Sequence, residues 1–419
     1  MVAPLFGKPI VGLALLMACL CGGCVSRESR LSVVFPAQMI DSPAAAGSLE
    51  PNLFAAADGR VFLSWVEPVG DDHSLRYSVR KTGAWSAPVT VARGSGWFVN
   101  WADFPSVVAS PDGALSAHWL QKSGEDTYAY DVKVSRSFDG GETWSAALVP
   151  HRDGTKTEHG FVSMLPWDNG RIMIVWLDGR NFADEKTDHG EGGSAKAEMT
   201  LRTAVMGPDG GLEDEMSLDD RVCDCCQTAA ALTTDGAIVA YRDRSVSEVR
   251  DIWFVRHHNG QWTKPRPVAE DGWEIFGCPV NGPAIAASGR RVAVVWFTHA
   301  HENPRVKIAF SDDAGETFGQ PIRVDDGDPM GRVGVVILAD GSAVASWMGF
   351  TADQADIRLR RVWPDGRTEE PHTLAQLSKE RASGFPVLAS NDREIVVAWT
   401  DVGSPSRVRT ASLRLDRAR

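Results

Sequence analysis

A short apolar, β-branched run that closes on an aromatic residue recurs along the chain. It reads Val61-Phe-Leu-Ser-Trp65, Leu115-Ser-Ala-His-Trp119, Ile172-Met-Ile-Val-Trp176 and Ile238-Val-Ala-Tyr241. It continues as Val292-Ala-Val-Val-Trp296, Ala343-Val-Ala-Ser-Trp347 and Ile395-Val-Val-Ala-Trp399, the aromatics lying 51 to 65 residues apart. A turn dipeptide precedes most of these runs: Asp58-Gly59, Asp112-Gly113, Asn169-Gly170, Asp235-Gly236 and Asp340-Gly341. Asp-Gly and Asn-Gly supply the positive φ that a two-residue hairpin turn demands. Another small or apolar run lies before each turn, as in Pro105-Ser-Val-Val-Ala-Ser110, and further strands follow, as in Tyr130-Asp-Val-Lys-Val-Ser135.

Seven four-stranded units of this length predict an all-β chain folded as a β-propeller, one domain over residues 31–416. The last unit, from Phe385 to Leu415, holds only three strands, while Leu31–Ile40 is a spare strand at the other end of the domain. Pairing that N-terminal strand into the last blade closes the ring and removes an open edge. The seven repeated aromatics are expected to wedge between neighbouring blades as core.

Upstream of the repeats, Lys8 leads into an apolar run from Pro9 to Ala18. That run is shorter than the roughly 20 residues a membrane-spanning helix needs, but it fits the core of a secretory signal. Leu16-Met-Ala-Cys19 and Gly22-Gly-Cys24 both resemble a bacterial lipobox, so lipidation is expected at Cys19 or Cys24. Residues 1–24 then form the signal peptide and 25–30 a short tether. The expected location is the bacterial cell envelope, periplasmic or outer-membrane, with the lipid as membrane partner.

The charge balance narrows the partners. Lys and Arg number 43 against 55 Asp and Glu, a net charge of −12, which argues against a nucleic-acid backbone as ligand. Apolar residues at 43% and charged residues at 23% are those of an ordinary globular domain.

Two turns share the pattern Ser-x-Asp-x-Gly-x-Thr-aromatic. They comprise Ser137, Asp139, Gly141, Thr143 and Trp144, and Ser311, Asp313, Gly315, Thr317 and Phe318. The carboxylate can accept backbone N–H groups across the turn, Gly permits positive φ, and the aromatic plugs between sheets. The pattern resembles the Asp box of the sialidase-like (BNR-repeat) propellers. The resemblance covers the mature chain at the level of fold and implies boxes on the face opposite the active site. Most catalytic members of that family have six blades, which makes six the alternative to the seven counted here.

In a propeller, the loop leading into each innermost strand and the loop after each second strand open on one face. The first set brings Asn100, Trp101, Asp103, His159, Cys223, Asp224, Cys225, Cys226, Cys278, Arg332 and Arg381 together. The second adds Asp178, Arg180, Arg242, Asp243, Arg244, Arg250 and Asp251, with His299 and His301, and these Arg and Asp residues are candidate ligand-binding groups or mutual salt bridges. The loop after Trp176 carries Asp184, Glu185, Asp188, His189 and Glu191 and has the length of a lid. Outside the leader the cysteines are Cys223, Cys225, Cys226 and Cys278. Such density suits a soft metal, copper or zinc, with His159 as a further ligand. An oxidising compartment equally allows disulfides.

The sialidase resemblance implies an arginine triad for a substrate carboxylate, a Tyr nucleophile paired with Glu, and an Asp acid/base. Arg332, Arg381 and Arg180 are the candidate arginines and Asp103 the candidate acid/base. The family's early arginine motif is absent, and no Tyr–Glu pair is evident: Tyr241 occupies a repeated core position, Tyr77 a third strand, and Tyr128 and Tyr130 border a loop. The expectation is therefore a binding propeller, taking an anionic small molecule or glycan and a soft metal, rather than a classical sialidase. The alternatives are an exo-glycosidase (exo-α-sialidase-like) acting on acidic glycans, and a scaffold for envelope proteins.

Overall fold

A computed structural model describes residues 1–2, 31–184, 197–351 and 353–417. Residues 3–30, which hold Cys19, Cys24 and most of the expected leader and tether, and Glu185, Asp188, His189 and Glu191 of the long loop lie outside the described residues. The repeats form seven antiparallel sheets, each running from an innermost to an outer strand in chain order. Blade 1 begins with Leu49–Ala55, blade 2 with Ser106–Ala109, blade 3 with His159–Pro166 and blade 4 with Ala229–Thr233. Blades 5, 6 and 7 begin with Ala284–Ser288, Pro329–Ile337 and Val387–Ser390. Every innermost strand packs on the innermost strand of the next blade, and the seventh packs on the first. The ring therefore closes at seven blades.

Closure uses the N-terminal segment as expected. Leu31–Val33 and Gln38–Ile40 both pair antiparallel with the last strand, Arg407–Arg417. Blade 2 departs from the four-stranded pattern. Its sheet has three strands, and the outer position shrinks to a bridge between Val134 and Leu148.

The repeated aromatics are core. Trp65, Trp176, Trp296 and Trp347 are among the largest fully buried side chains, and Tyr241 is buried with them. A buried indole N–H needs an acceptor, and in three of the four a carboxylate supplies it: Trp65 donates to Glu67 (2.6 Å), Trp176 to Asp178 (2.7 Å) and Trp296 to Asp271 (2.6 Å), while the Trp347 N–H has no hydrogen-bond partner. Apolar residues of facing sheets fill the wedges between blades, as where Val175 and Leu201 of blade 3 meet Val239 and Val255 of blade 4.

Both Asp boxes close as their chemistry predicts. Asp139 accepts Thr143 N–H at 2.9 Å and Ser137 Oγ at 2.8 Å; Asp313 accepts Thr317 N–H at 2.9 Å and Ser311 Oγ at 2.7 Å. Trp144 then meets Tyr77 of blade 1 edge-on, and Phe318 meets Phe254 of blade 4. Gly141 sits at φ +96°, and a Cβ there would overlap the Tyr77 hydroxyl. Gly141→Ala is therefore expected to destabilise the protein by about 2 kcal/mol or more, strain and clash together. Gly59→Ala, at φ +81° with nothing within 4 Å, carries the strain alone. Thermal unfolding of both variants checks the difference, and equal shifts would refute the packing role of the box.

Candidate metal and anion site at the channel mouth

Three innermost strands open with a bulge. The register shifts between Leu49 and Asn52, Gly160 and Ser163, and Gly331 and Gly334, and Glu50, Phe161 and Arg332 take φ of +56°, +53° and +51°. Bulges re-aim side chains beside functional sites, and non-glycine residues at positive φ cost about 1–3 kcal/mol each. The surroundings hold them there. Asp103 Oδ1 accepts Phe161 N–H at 2.8 Å, and Asn281 Oδ1 accepts Arg332 N–H at 2.7 Å.

The cysteines gather as the repeat register predicts. Cys223 Sγ lies 3.4 Å from Cys226 Sγ and 3.8 Å from Cys225 Sγ, and Cys278 Sγ, on the exposed side, falls within 4.8 Å of Cys225 Sγ and an Asp224 carboxylate oxygen. All four are free thiols. Arg250 donates to Cys223 Sγ at 3.3 Å, and the Asn281 N–H points at Cys226 Sγ at 3.4 Å. Burial opposes ionisation of Cys223, but the Cys225 and Cys226 thiols and the Arg250 guanidinium outweigh it and hold its thiol well below the usual range. Burial pushes the Cys226 thiol up.

Behind the thiols lies a carboxyl pair. Tyr130 Oη lies 2.9 Å from Asp103 Oδ2 and 3.0 Å from Glu158 Oε1. One hydroxyl can donate to only one of them, so the arrangement favours a proton on the other. Burial raises Asp103 to about 7. Burial, then Tyr130's opposing hydrogen bond and repulsion from Asp103, Asp224 and Cys278, leave Glu158 at about 8. Protonation of both groups is thus favoured in the fold, where their pKa values exceed the unfolded ones. Their stabilising contribution is complete below about pH 4 and is lost as pH rises through 7 and 8. The melting temperature is expected to fall over that window, and to fall less in Glu158→Gln. An unchanged pH profile in that variant would contradict the pairing.

A cleft of about 620 Å³ opens beside the thiols, lined by Cys278, Trp101, Asn281, His299, Arg332 and Arg381 among others. The Arg332 guanidinium lies over the Trp101 ring at 4.7 Å and donates to Gly384 O at 2.9 Å. Burial and the neighbouring Arg381 lower it to about 10. Neither arginine has a carboxylate partner among the described residues. A buried guanidinium beside a second one leaves a standing demand for an anion.

The remaining predicted residues are placed elsewhere. His159 does not join the cysteines: strand alternation sends its neighbour Glu158 toward them and His159 the other way, where it stacks on His151 at 3.7 Å. Arg180 is not the third arginine of the cleft, because Asp178 takes it at 2.7 Å and Glu215 at 2.9 Å. Arg242 is buried under Trp273 and donates to the carbonyls of Asn281, Arg250 and Phe297, so it ties loops rather than binding ligand. Arg244 is held by Glu248, and Asp251 accepts the N–H groups of Gly272 and Trp273. Asp243 is buried, with its carboxyl raised to about 7 by burial and by Asp219.

Sequence reasoning missed the Tyr130–Glu158 contact. The signal was Glu158 itself, an acid directly before an innermost strand. Tyr130 is fully buried and stacked on Phe98 at 4.0 Å, so the contact offers no exposed nucleophilic oxygen.

Fold and site together define a seven-bladed β-propeller with a thiol- and arginine-lined channel mouth. No family model and no curated protein matches the chain. Similar solved structures include a protein of unknown function from Dyadobacter fermentans DSM 18053, at 14% identity and a TM-score of 0.49, covering 92% of this chain and 99% of that one. A mutant NanB sialidase of Streptococcus pneumoniae gives 9%, 0.46, 84% and 83% for the same measures. An α-L-arabinofuranosidase of Fusarium graminearum gives 12%, 0.48, 91% and 98%. At such distance the likeness carries no substrate or residue role across.

Proposed function

We propose that this protein is an exported, lipid-anchored propeller that binds a soft metal ion, Cu(I) or Zn²⁺, through Cys223, Cys225, Cys226 and Cys278. The convergence of the three loop sulfurs carries this reading. A zinc–sulfur bond of about 2.3 Å sets tetrahedral ligand sulfurs about 3.8 Å apart, and the observed separations of 3.4 and 3.8 Å sit close to that spacing. The residues around them suit the role: Arg250 and the Asn281 N–H stabilise thiolate charge, as outer groups do around metal ligands. The ion would tie the Cys223–Cys226 loop to the Cys278 loop at the channel mouth, next to the cleft where Arg332 and Arg381 take the anionic part of a ligand.

The test is bound metal and free-thiol content of the purified protein, wild type against Cys278→Ser. Stoichiometric metal with reactive thiols after its removal supports the reading. No metal and no free thiols overturns it in favour of disulfides. A second reading, an exo-glycosidase of acidic glycans, is favoured by the Asp103 and Glu158 carboxyls being raised to about 7 and 8, the range a general acid requires. On that reading Asp103→Asn removes turnover of acidic glycosides and leaves the metal content unchanged.

A further inference from the structure

A smaller cleft shares Trp101 with the arginine cleft, where the loops of blades 7, 1 and 2 meet at the channel mouth. It encloses about 250 Å³, and Glu50, Pro51, Asn100, Trp101, Phe104 and Phe385 are among its walls. Trp101 and Phe385 lie parallel within 9° at 6.0 Å, and Phe104 tilts onto Phe385 at 6.1 Å. An apolar cavity of roughly 150 Å³ holds one benzene ring, so this one has room for a single substituted ring.

Glu50 supplies the polar end. The blade 1 bulge holds it at φ +56°, it is 6% exposed, and its Oε1 is buried with no hydrogen-bond partner. No Lys or Arg pairs with it among the described residues, and the charged group acting on it is Asp103. A buried carboxyl without a cation keeps its proton. Burial, then Asp103, push it well above the usual carboxyl range, against the opposing Asn100 N–H. So protonated, it sets an O–H donor beside a C=O acceptor. Asn100 adds a donor, because the Ala102 N–H takes its Oδ1 at 2.9 Å and leaves its Nδ2 to the cleft. Charge of either sign is disfavoured there. Arg332 already stands over Trp101 at 4.7 Å and Phe385 at 5.8 Å, which turns a cation away from those rings. An anion would meet the two acids, Glu50 and Asp103.

We infer that this cleft binds a small, uncharged, planar ligand bearing a carboxamide or lactam, which pairs with Glu50 through two hydrogen bonds between the rings of Trp101, Phe104 and Phe385. An amide sets its own N–H beside its C=O and so matches the carboxyl group at both atoms. A ligand with hydroxyl groups all round would leave most of them against apolar wall, unpaired and costly. The pairing satisfies the orphan Oε1, and a ligand without that edge leaves it as it is.

Benzamide is the probe, and benzamidinium, of the same shape but positively charged, its control. Ligand-observed NMR titrations of the wild type, Glu50→Gln and Glu50→Leu read the affinities. Benzamide is expected to bind the wild type at least about tenfold more tightly than benzamidinium does. It should stay within about threefold of that affinity in Glu50→Gln, whose amide also sets a donor beside an acceptor, and lose at least about tenfold in Glu50→Leu. Preference for benzamidinium, lost in Glu50→Gln, would make Glu50 a charged anchor for an organic cation and overturn the inference. Benzamide that does not bind the wild type, or binds Glu50→Leu equally well, overturns it too. Glu50→Gln keeps the native shape, so the comparison of the two probes decides even where Glu50→Leu fails to fold.

Discussion

Replacing Cys223 with serine is expected to weaken Cu(I) or Zn²⁺ binding roughly 100- to 1,000-fold, the largest functional effect of any single substitution. A thiolate zinc site is worth ~10–16 kcal/mol, and a quarter share per ligand is about 2.5–4 kcal/mol. Cys223 has the greatest claim because it touches both other loop sulfurs and receives the Arg250 guanidinium. Cys278 stands at the exposed edge, within 4.8 Å of Cys225 Sγ, so Cys278→Ser should cost less. Competition titration against a chelator of known affinity reads both. Equal affinity of wild type and Cys223→Ser would remove the thiol cluster from the account.

The largest structural effect is expected at Arg242. Its guanidinium serves three backbone carbonyls at 1% exposure. Arg242→Met leaves those acceptors buried and unpaired, which at about 1–3 kcal/mol each predicts a loss of at least about 3 kcal/mol. The damage should reach the site, because Asn281 both receives Arg242 and presents its N–H to Cys226. Metal affinity is expected to fall about tenfold, as for other outer-group losses. Arg367→Met removes an exposed pair with Asp365 and should shift stability by less than about 1 kcal/mol. Thermal unfolding of both variants decides, and a comparable small shift in each would mean that Arg242 is not the tie between these loops.

Much of the fold was legible in the sequence because its units repeat. Seven Trp or Tyr residues at one register mark the second strands, and the Asp-Gly and Asn-Gly turns mark the hairpins. Leu31–Val33 and Gln38–Ile40 close the ring because the seventh unit lacks a strand. Blade 2 escaped that logic, since the repeat does not reveal that its outer strand shrinks to the Val134–Leu148 bridge. The site was legible only as far as strand starts could place loops. That brought Cys223, Cys225, Cys226 and Cys278 together but could not say which neighbour faces inward, and the pleat gave the thiols Glu158 rather than His159. Nor does sequence show which charges neutralise one another. Arg180 reads as free and is held by Asp178 and Glu215, whereas Arg332 and Arg381 keep no carboxylate among the described residues. Bulges at Glu50, Phe161 and Arg332 carry no sequence signature.

X-ray absorption at the copper edge of the protein loaded with one equivalent of Cu(I) tests the central claim most directly. A shell of sulfur neighbours alone, at about the 2.3 Å of metal–thiolate bonds, is the predicted result. A shell of nitrogen and oxygen, or copper that fails to bind while all four cysteines are oxidised, would contradict it.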